Sequence, residues 1–434
     1  MAISIGIVIG VGIFRVPAEV AKCLPSGPLI LLAWLVGGLI SLMGALCYAE
    51  LSATFPETGG DYVYLRNGYG KLVAFLYAWT QLTIIRTGSI ATISYLFADY
   101  ACGLLSVTGS WAKPLAVGVI SILALVNLAG LNYGRIAQNL LTLAKLSALL
   151  FLVVCGLLSG KGEPSRLTAL ADVSINIKLI SSFLLALIPV LWTYGGWQES
   201  VFVAGETREA RKSLPFALLG TVAVVGSAYM CVNALLLYLL PPEKIAASPL
   251  IAADVLDLLY GGLSGKLLEA LVVLYSIGSV NAMIITGSRV TYAMAQDFPL
   301  FQFLARTDGK TNTPTAALLL NAVGSCIFVM LGSFDRLLFF TGIAVWLFFA
   351  LVVACVFIFR LRQPQVERPF IVPLYPWLPA CFLLACTGLC LNTLLWYPQQ
   401  SILGLALVAS GAPVYYLSQS LSRRGTRRHT RDEI

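Results

Sequence analysis

Long apolar runs alternate along the whole chain with short segments rich in Gly, Pro and charged residues. Each run is close to the roughly 20 residues that a helix needs to cross a bilayer. They predict twelve helices, at Ile3–Leu24, Pro28–Thr54, Gly70–Leu105, Pro114–Leu131, Arg135–Leu158, Leu179–Val203, Leu214–Leu240, Lys266–Gln296, Pro314–Leu331, Arg336–Arg360, Leu374–Trp396 and Ser401–Ser418. We therefore expect an all-α integral membrane protein, with a transmembrane domain over residues 1–418 and a basic cytoplasmic tail over 419–434.

Composition and charge support a membrane protein. Hydrophobic residues make up 59% of the 434 and charged residues 11%, whereas a soluble domain carries about 25% charged residues. The net charge of +8 comes from residues between the apolar runs and in the tail, so it does not indicate nucleic-acid binding. If both termini are cytoplasmic, the inner segments hold twice as many Lys and Arg as the outer ones. The positive-inside rule then predicts a multi-pass protein of a plasma or bacterial inner membrane, in this orientation.

The chain carries few residues that could perform chemistry inside the membrane. Its one histidine, His429, lies in the tail, and its ten cysteines lie almost entirely in apolar stretches. Haem and metal sites need clustered ligands within the spans. We therefore expect no metal site, no cofactor and no enzymatic activity. A channel is disfavoured as well, because no filter loop is repeated.

Closely spaced glycines interrupt two of the predicted helices near mid-span. Helix 1 reads IGIVIGVGIF around Gly10 and Gly12, and helix 6 reads LWTYGGWQ around Gly195 and Gly196. Each interior glycine costs a helix about 1 kcal/mol relative to alanine and lets the backbone leave helical geometry. Exposed backbone groups at membrane depth are tolerated only where protein, water or a ligand satisfies them. The alternative is that these glycines serve close helix packing.

The two interruptions lie five helices apart, which favours a five-plus-five inverted repeat. Repeat one would cover about 3–158, repeat two about 179–360, and two peripheral helices about 374–418. In such folds, freed N–H groups bind a substrate carboxylate and unwound carbonyls bind a cation. An α-amino acid carries both charges on adjacent atoms and suits such a site.

Several segments resemble the amino acid–polyamine–organocation superfamily, and within it the branch of L-type amino acid transporters and their bacterial relatives. They are GVGIF at 10–14, GALCYAEL at 44–51 with GGDY at 59–62, YGGW at 194–197 and RPFIVP at 368–373. The resemblance covers nearly the whole chain. It implies twelve helices with interrupted helices 1 and 6, and secondary transport of amino acids by alternating access. Relatives have a cytoplasmic segment before helix 1, so we expect the native start to lie upstream of Met1.

The resemblance also implies a substrate site at the two interruptions. Trp192 would close over the bound substrate from outside, although packing within the bundle is the alternative. Val11 replaces a hydroxyl residue of the family and Val345 stands where relatives can carry Asn, so we expect neutral L-amino acids. The implied residues that face the carboxylate or surround the amino group are Gly10, Val11, Gly12, Ile13, Trp192, Thr193, Tyr194, Gly195 and Gly196.

Four charged residues lie within apolar spans: Arg15, Arg86, Lys145 and Arg289. A lysine near the bilayer centre costs about 2.5–3.5 kcal/mol on insertion scales, so a partner or a role is expected. The resemblance puts the Lys145 ammonium where sodium-coupled transporters of this architecture bind a cation, with Ser279 or Asn281 as neighbours. It would replace sodium there, although a snorkelling lysine is the alternative. For Arg289, either a cytoplasmic gate with Glu206 or an ordinary interfacial ion pair is possible.

Several points stay open at this level. Sodium-independent exchange and facilitated diffusion both fit, and a proton-coupled symporter or a polyamine or cationic amino-acid permease is the alternative. A polyamine site needs acidic side chains, and the carboxylate nearest to a break is Glu199. Ser106–Ser110, in an outer loop, has no cysteine where heteromeric relatives form a disulfide, so we predict no disulfide-linked heavy-chain partner. The oligomeric state is not predicted.

Overall fold

The computed structural model describes residues 1–169, 176–248, 251–261, 264–309, 313–331, 334–396 and 398–420, and these residues contain helices and no strand. The α-helices are α1 (Ala2–Val8), α2 (Val16–Cys23), α3 (Gly27–Thr54), α4 (Asp61–Tyr69), α5 (Lys71–Thr80), α6 (Arg86–Leu105), α7 (Ala112–Leu128), α8 (Leu131–Leu158), α9 (Ser165–Thr168), α10 (Ile177–Tyr194), α11 (Ala210–Leu239), α12 (Pro242–Ala247), α13 (Ile251–Tyr260), α14 (Ser264–Asp297), α15 (Thr315–Leu331), α16 (Phe334–Arg362), α17 (Trp377–Trp396) and α18 (Pro398–Ala409).

Ten helical segments of the described residues are long and apolar enough to cross a membrane. An eleventh results if the bent pair Ala2–Phe14 and Val16–Cys23 is one span, and Thr315–Leu331 is a shorter apolar helix. The prediction of an all-α membrane protein is confirmed. The count of twelve spans, the inverted repeat and the domain limits stay predictions, and most of the basic tail lies outside the described residues.

The helix boundaries differ from the predicted ones mainly between spans. The segment after α3, predicted as a loop, forms α4, and the predicted outer loop before α14 contains α12 and α13. These helices are short and carry charged residues, so they lack the long apolar run on which the sequence prediction rests. The predicted third span is also not uniform, because a π-helical turn, Gln81–Ile85, joins α5 to α6.

The core lies between helices that are distant in sequence. α3 packs against α10 and α11, and α6 packs against α14 and α15. At the centre of the first group, the rings of Trp34, Tyr194 and Tyr229 contact one another, with centroids 5.2–6.1 Å apart. Leucines on the outer helix faces stay exposed, as expected where lipid rather than water is the solvent.

A buried carboxylate fastens the segment that follows α16. Glu50 of α3 accepts hydrogen bonds from Arg360 and from the backbone N–H of Val372. Arg368 lies 3.7 Å away on the same carboxylate. Because two arginines face one carboxylate that is only 3% exposed, the RPFIVP segment is held against α3.

Candidate functional site

The first interruption separates α1 from α2. After α1 the backbone becomes extended at Gly10 (φ −116°, ψ −163°), forms a 3₁₀ turn over Val11–Phe14 and resumes as α2. The axis of Ala2–Phe14 and that of Val16–Cys23 differ by 57°. Bonds in a 3₁₀ turn join residues three apart, so the N–H groups of Val11 and Gly12 at its start have no partner within that turn. These donors are available to a ligand. We call residues 9–15 the first break.

The second interruption ends α10. Tyr194 is the last α-helical residue, Gly195 is extended (φ −57°, ψ 141°), and Gly196 has φ +110°. A positive φ of this kind favours glycine, because a side chain would crowd the backbone. A 3₁₀ segment, Trp197–Glu206, follows. The Trp192 carbonyl accepts from the Gly195 N–H, and the carbonyls of Thr193 and Tyr194 have no partner within α10. We call Gly195 and Gly196 the second break.

The two breaks lie against each other. A methyl group placed on Gly12 would lie 3.2 Å from Thr193 Cγ2 and 3.3 Å from the Trp192 ring. A methyl group on Gly196 would lie 2.7 Å from Ile7 Cγ2. The structure thus brings the predicted residues of helix 1 and helix 6 together, with N–H groups outside the helical bonding pattern on one and carbonyls outside it on the other. Trp192 is 52% exposed, and Ile13 is buried.

Tyr229 of α11 connects the two breaks, and the sequence analysis missed it. Its hydroxyl lies 2.6 Å from the Val8 carbonyl and 3.3 Å from the Thr193 carbonyl, so it can donate to either. Val8 precedes the first break and Thr193 precedes the second. From sequence alone, a tyrosine in an apolar helix is interpreted as a core residue. Its role could have been suspected only because a buried hydroxyl at mid-span needs a hydrogen-bond acceptor.

Lys145 of α8 is fully buried and contacts the first break. Its ammonium donates to the carbonyls of Gly6 (2.5 Å) and Ile9 (3.1 Å) and to Ser279 Oγ (3.0 Å). Its three donors are therefore all used, and the carbonyls come from the negative end of α1. It also lies 5.5 Å from the centroid of the Tyr275 ring. Lys145 joins α8, the first break and α14 at one point.

Asn281, the other predicted neighbour of Lys145, points elsewhere. Its side chain donates to Gln138 Oε1 (2.9 Å) and accepts from Asn127 (2.8 Å). Residues 279 and 281 are two apart on α14, so their side chains point about 200° apart around the helix. Of the two neighbours offered for the ammonium, Ser279 is the one that contacts it. The role in coupling that was predicted for these residues stays a prediction.

The other charged residues predicted inside the spans occupy different surroundings. Arg289 is buried and pairs with Glu206 at 3.0 Å, which links α14 to the end of the 3₁₀ segment. Arg86 pairs with Glu199 at 3.1 Å, and both side chains are almost fully buried. Arg15 is exposed at the first break. The buried arginines therefore both contact the segment that follows the second break.

Comparison with known proteins places the chain among amino-acid transporters. Residues 1–416 match the family model described as amino acid permease. The chain is 27% identical to the serine/threonine exchanger of Bacillus subtilis (strain 168), over 96% of this chain and 94% of that protein. It is 30% identical to the human large neutral amino acids transporter small subunit 2, over 96% and 78%. It is also 30% identical to the human cystine/glutamate transporter, over 96% and 83%.

Proposed function

This chain belongs to the amino acid permease family, and on that premise we propose that it moves amino acids across a cell membrane by exchange. The relatives support this reading, since two of them are an exchanger of serine and threonine and a transporter of large neutral amino acids. The proposed mechanism is alternating access around one site. A single observation carries it: two interrupted helices face each other with complementary backbone groups that lie outside the helical hydrogen-bond pattern.

The proposed substrate contacts follow from the polarity of the two breaks. The N–H groups at the start of the Val11–Phe14 turn would bind the carboxylate, as the positive end of a helix does. The carbonyls of Thr193 to Gly195 would accept from the ammonium. Both ends of an α-amino acid would then bind backbone groups, and its side chain would be recognised separately. A movement of either break would change the distance from the Tyr229 hydroxyl to the Val8 or the Thr193 carbonyl.

We propose that the Lys145 ammonium substitutes for a coupling sodium ion. It holds two carbonyl oxygens and one hydroxyl oxygen at 2.5–3.1 Å, which are ligands of the kind that a hard cation prefers. A positive charge fixed there would repel a second cation. The same three bonds would keep α1 attached to α8 and α14. Exchange is then independent of sodium.

Three finer proposals concern specificity and assembly. Neutral L-amino acids are the proposed cargo, because Val11 and Val345 supply no polar side chain. Both termini are proposed to be cytoplasmic, from the distribution of Lys and Arg. We propose that no disulfide-linked partner is required, since Ser106–Ser110 contains no cysteine.

Exchange in proteoliposomes tests these proposals together. Vesicles preloaded with a neutral amino acid should take up radiolabelled neutral amino acids faster than empty vesicles. Uptake should not change when choline replaces sodium, because Lys145 occupies the cation position. Putrescine should not compete. Failure of exchange with all twenty amino acids would contradict the substrate class. Strong sodium dependence would instead contradict only the role given to Lys145.

A further inference from the structure

A buried polar network lies on the α4 side of the second break. The Tyr77 hydroxyl donates to Asp61 Oδ2 (3.1 Å) and accepts from Gln81 Nε2 (3.1 Å). Further along the same span, both terminal nitrogens of Arg86 donate to Glu199 Oε1 at 3.1 Å. Each of these five residues is at most 9% exposed. Among the described residues, no hydrogen bond joins the first group to the Arg86–Glu199 pair, but the charges of that pair act on Asp61. We call the five residues together the network.

A π-helical turn lies between the two parts of this network. Tyr77, near the end of α5, and Gln81, the first residue of the turn, are four residues apart and hydrogen-bonded. Arg86 follows Gln81 by five residues, a spacing that an α-helix would rotate well away from the face of Gln81. The π turn Gln81–Ile85 has bonds between residues five apart, which reduces this rotation. Such turns occur often at functional sites.

The network contains more negative charge than positive charge. Its carboxylates are Asp61 and Glu199, and its one cation is Arg86. Arg86 is bound to Glu199. Among the ion pairs of the described residues, none involves Asp61, and the hydroxyls of Tyr77 and Tyr48, which face its carboxyl, carry no charge. An ionised carboxylate that is buried without a cation is strongly disfavoured, and such a group takes up a proton instead.

Among the described residues, Arg86 is the one cation that acts on Asp61. The groups that face it from its own and neighbouring elements are Tyr64 of α4, Tyr48 of α3, Tyr77 of α5, Arg86 of α6, Glu199 of the 3₁₀ segment and Cys355 of α16. Asp61 lies between two spans, at the start of α4. Its burial, together with the charge of Glu199, raises the pKa of this carboxyl to about 7. Hydrogen bonds from Tyr77 and Tyr48 and the charge of Arg86 lower the pKa, but by less than burial raises it.

The network also touches the part of the protein that would move during transport. The backbone N–H of Gly59, two residues before Asp61, donates to the Phe202 carbonyl at 3.1 Å. The Arg86 guanidinium lies 5.6 Å from the centre of the Phe202 ring. Glu199 and Phe202 both belong to the 3₁₀ segment. A charge that appeared on Asp61 would compete with Glu199 for Arg86 and so act on this segment.

We propose that Asp61 is a proton-binding site, and that the protein exchanges substrate when this carboxyl is protonated. Loss of the proton leaves a second carboxylate beside a single guanidinium. Arg86 is then drawn from Glu199 toward Asp61, which changes the position of the 3₁₀ segment next to the second break. The inference rests on the proposed function, because it assigns a regulating ligand, a proton, to the same transport cycle.

The test compares pH profiles of exchange in proteoliposomes with equal pH on both sides. Wild-type exchange should fall at least fivefold as pH rises through about 7, since Asp61 is protonated below this value and ionised above it. The Asp61→Asn variant stays neutral at every pH and should keep its acid-side rate throughout. The matched control is Asp297→Asn, because Asp297 also accepts from a tyrosine but is paired with Arg66. Its profile should fall as the wild type does.

A second readout does not depend on transport. The infrared spectrum of the purified wild-type protein should show a protonated carboxyl band at acid pH that disappears at alkaline pH. The band should be absent from Asp61→Asn and present in Asp297→Asn. Coinciding profiles of wild type and Asp61→Asn, with no difference in this band, would overturn the inference. So would an effect that follows sodium or potassium rather than pH. Absence of any wild-type exchange would overturn the proposed function instead.

Discussion

Replacing Lys145 with methionine should reduce exchange at least tenfold. The ammonium supplies the hydrogen bonds to the Gly6 and Ile9 carbonyls, and methionine supplies none. A buried carbonyl left without a donor costs about 1–3 kcal/mol, and 1.4 kcal/mol already corresponds to a factor of ten. The Ile9 carbonyl of the first break would lose its bond to α8, while Ser279 of α14 could still donate to the Gly6 carbonyl. Initial rates of exchange in proteoliposomes, normalised to reconstituted protein, measure the effect.

The control for this variant is Lys113→Met. Lys113 also donates to a backbone carbonyl, that of Met330, but it is exposed at the start of α7. Its removal should leave exchange within twofold of wild type. Elution volume and melting temperature in detergent show whether the Lys145 variant is folded. A folded Lys145→Met protein that exchanges at the wild-type rate would show that the ammonium has no part in the cycle.

Replacing Gly196 with alanine should also reduce exchange more than tenfold. The backbone at Gly196 has φ +110°, where a side chain costs roughly 1–2 kcal/mol. The added methyl group would also lie 2.7 Å from Ile7 Cγ2, so α1 would have to move. The two breaks would separate, and the carboxylate and ammonium sites would no longer fit one substrate. Substrate affinity and exchange rate should both decline.

Gly118→Ala provides the matched control. Gly118 lies inside α7, and a methyl group there would meet no atom of the described residues within 4 Å. Alanine favours a helix over glycine by about 1 kcal/mol, so this variant should be at least as stable as wild type and equally active. A combined Ile7→Ala and Gly196→Ala protein should recover part of the activity, because the overlap is relieved. If Gly196→Ala alone exchanged at the wild-type rate, the claim that exchange needs the two breaks in contact would be contradicted.

The sequence allowed the two breaks to be predicted because their physical cause is local. Glycines at 10, 12, 195 and 196 weaken the helix where they stand, and the structure interrupts both helices there. Lys145 could be singled out for a similar reason. Placing a lysine at membrane depth costs free energy, and this holds whichever residues are its partners.

The relations between distant residues could not be predicted in the same way. The Arg86–Glu199 pair joins residues 113 apart, and nothing near either residue specifies the other. Tyr229 and α4 were missed because a tyrosine in an apolar run and a short charged segment both have ordinary explanations. For Lys145, helical geometry alone shows that only one of Ser279 and Asn281 can face the ammonium, but not which one.

A structure with a bound neutral amino acid tests the central claim most directly. Electron cryomicroscopy of the protein with saturating substrate should show its carboxylate within hydrogen-bond distance of the N–H groups of Val11 and Gly12. Its ammonium should contact the carbonyls of Thr193 to Gly195. A substrate bound away from both breaks, or helices 1 and 6 that are continuous through residues 9–15 and 195–196, would contradict the account.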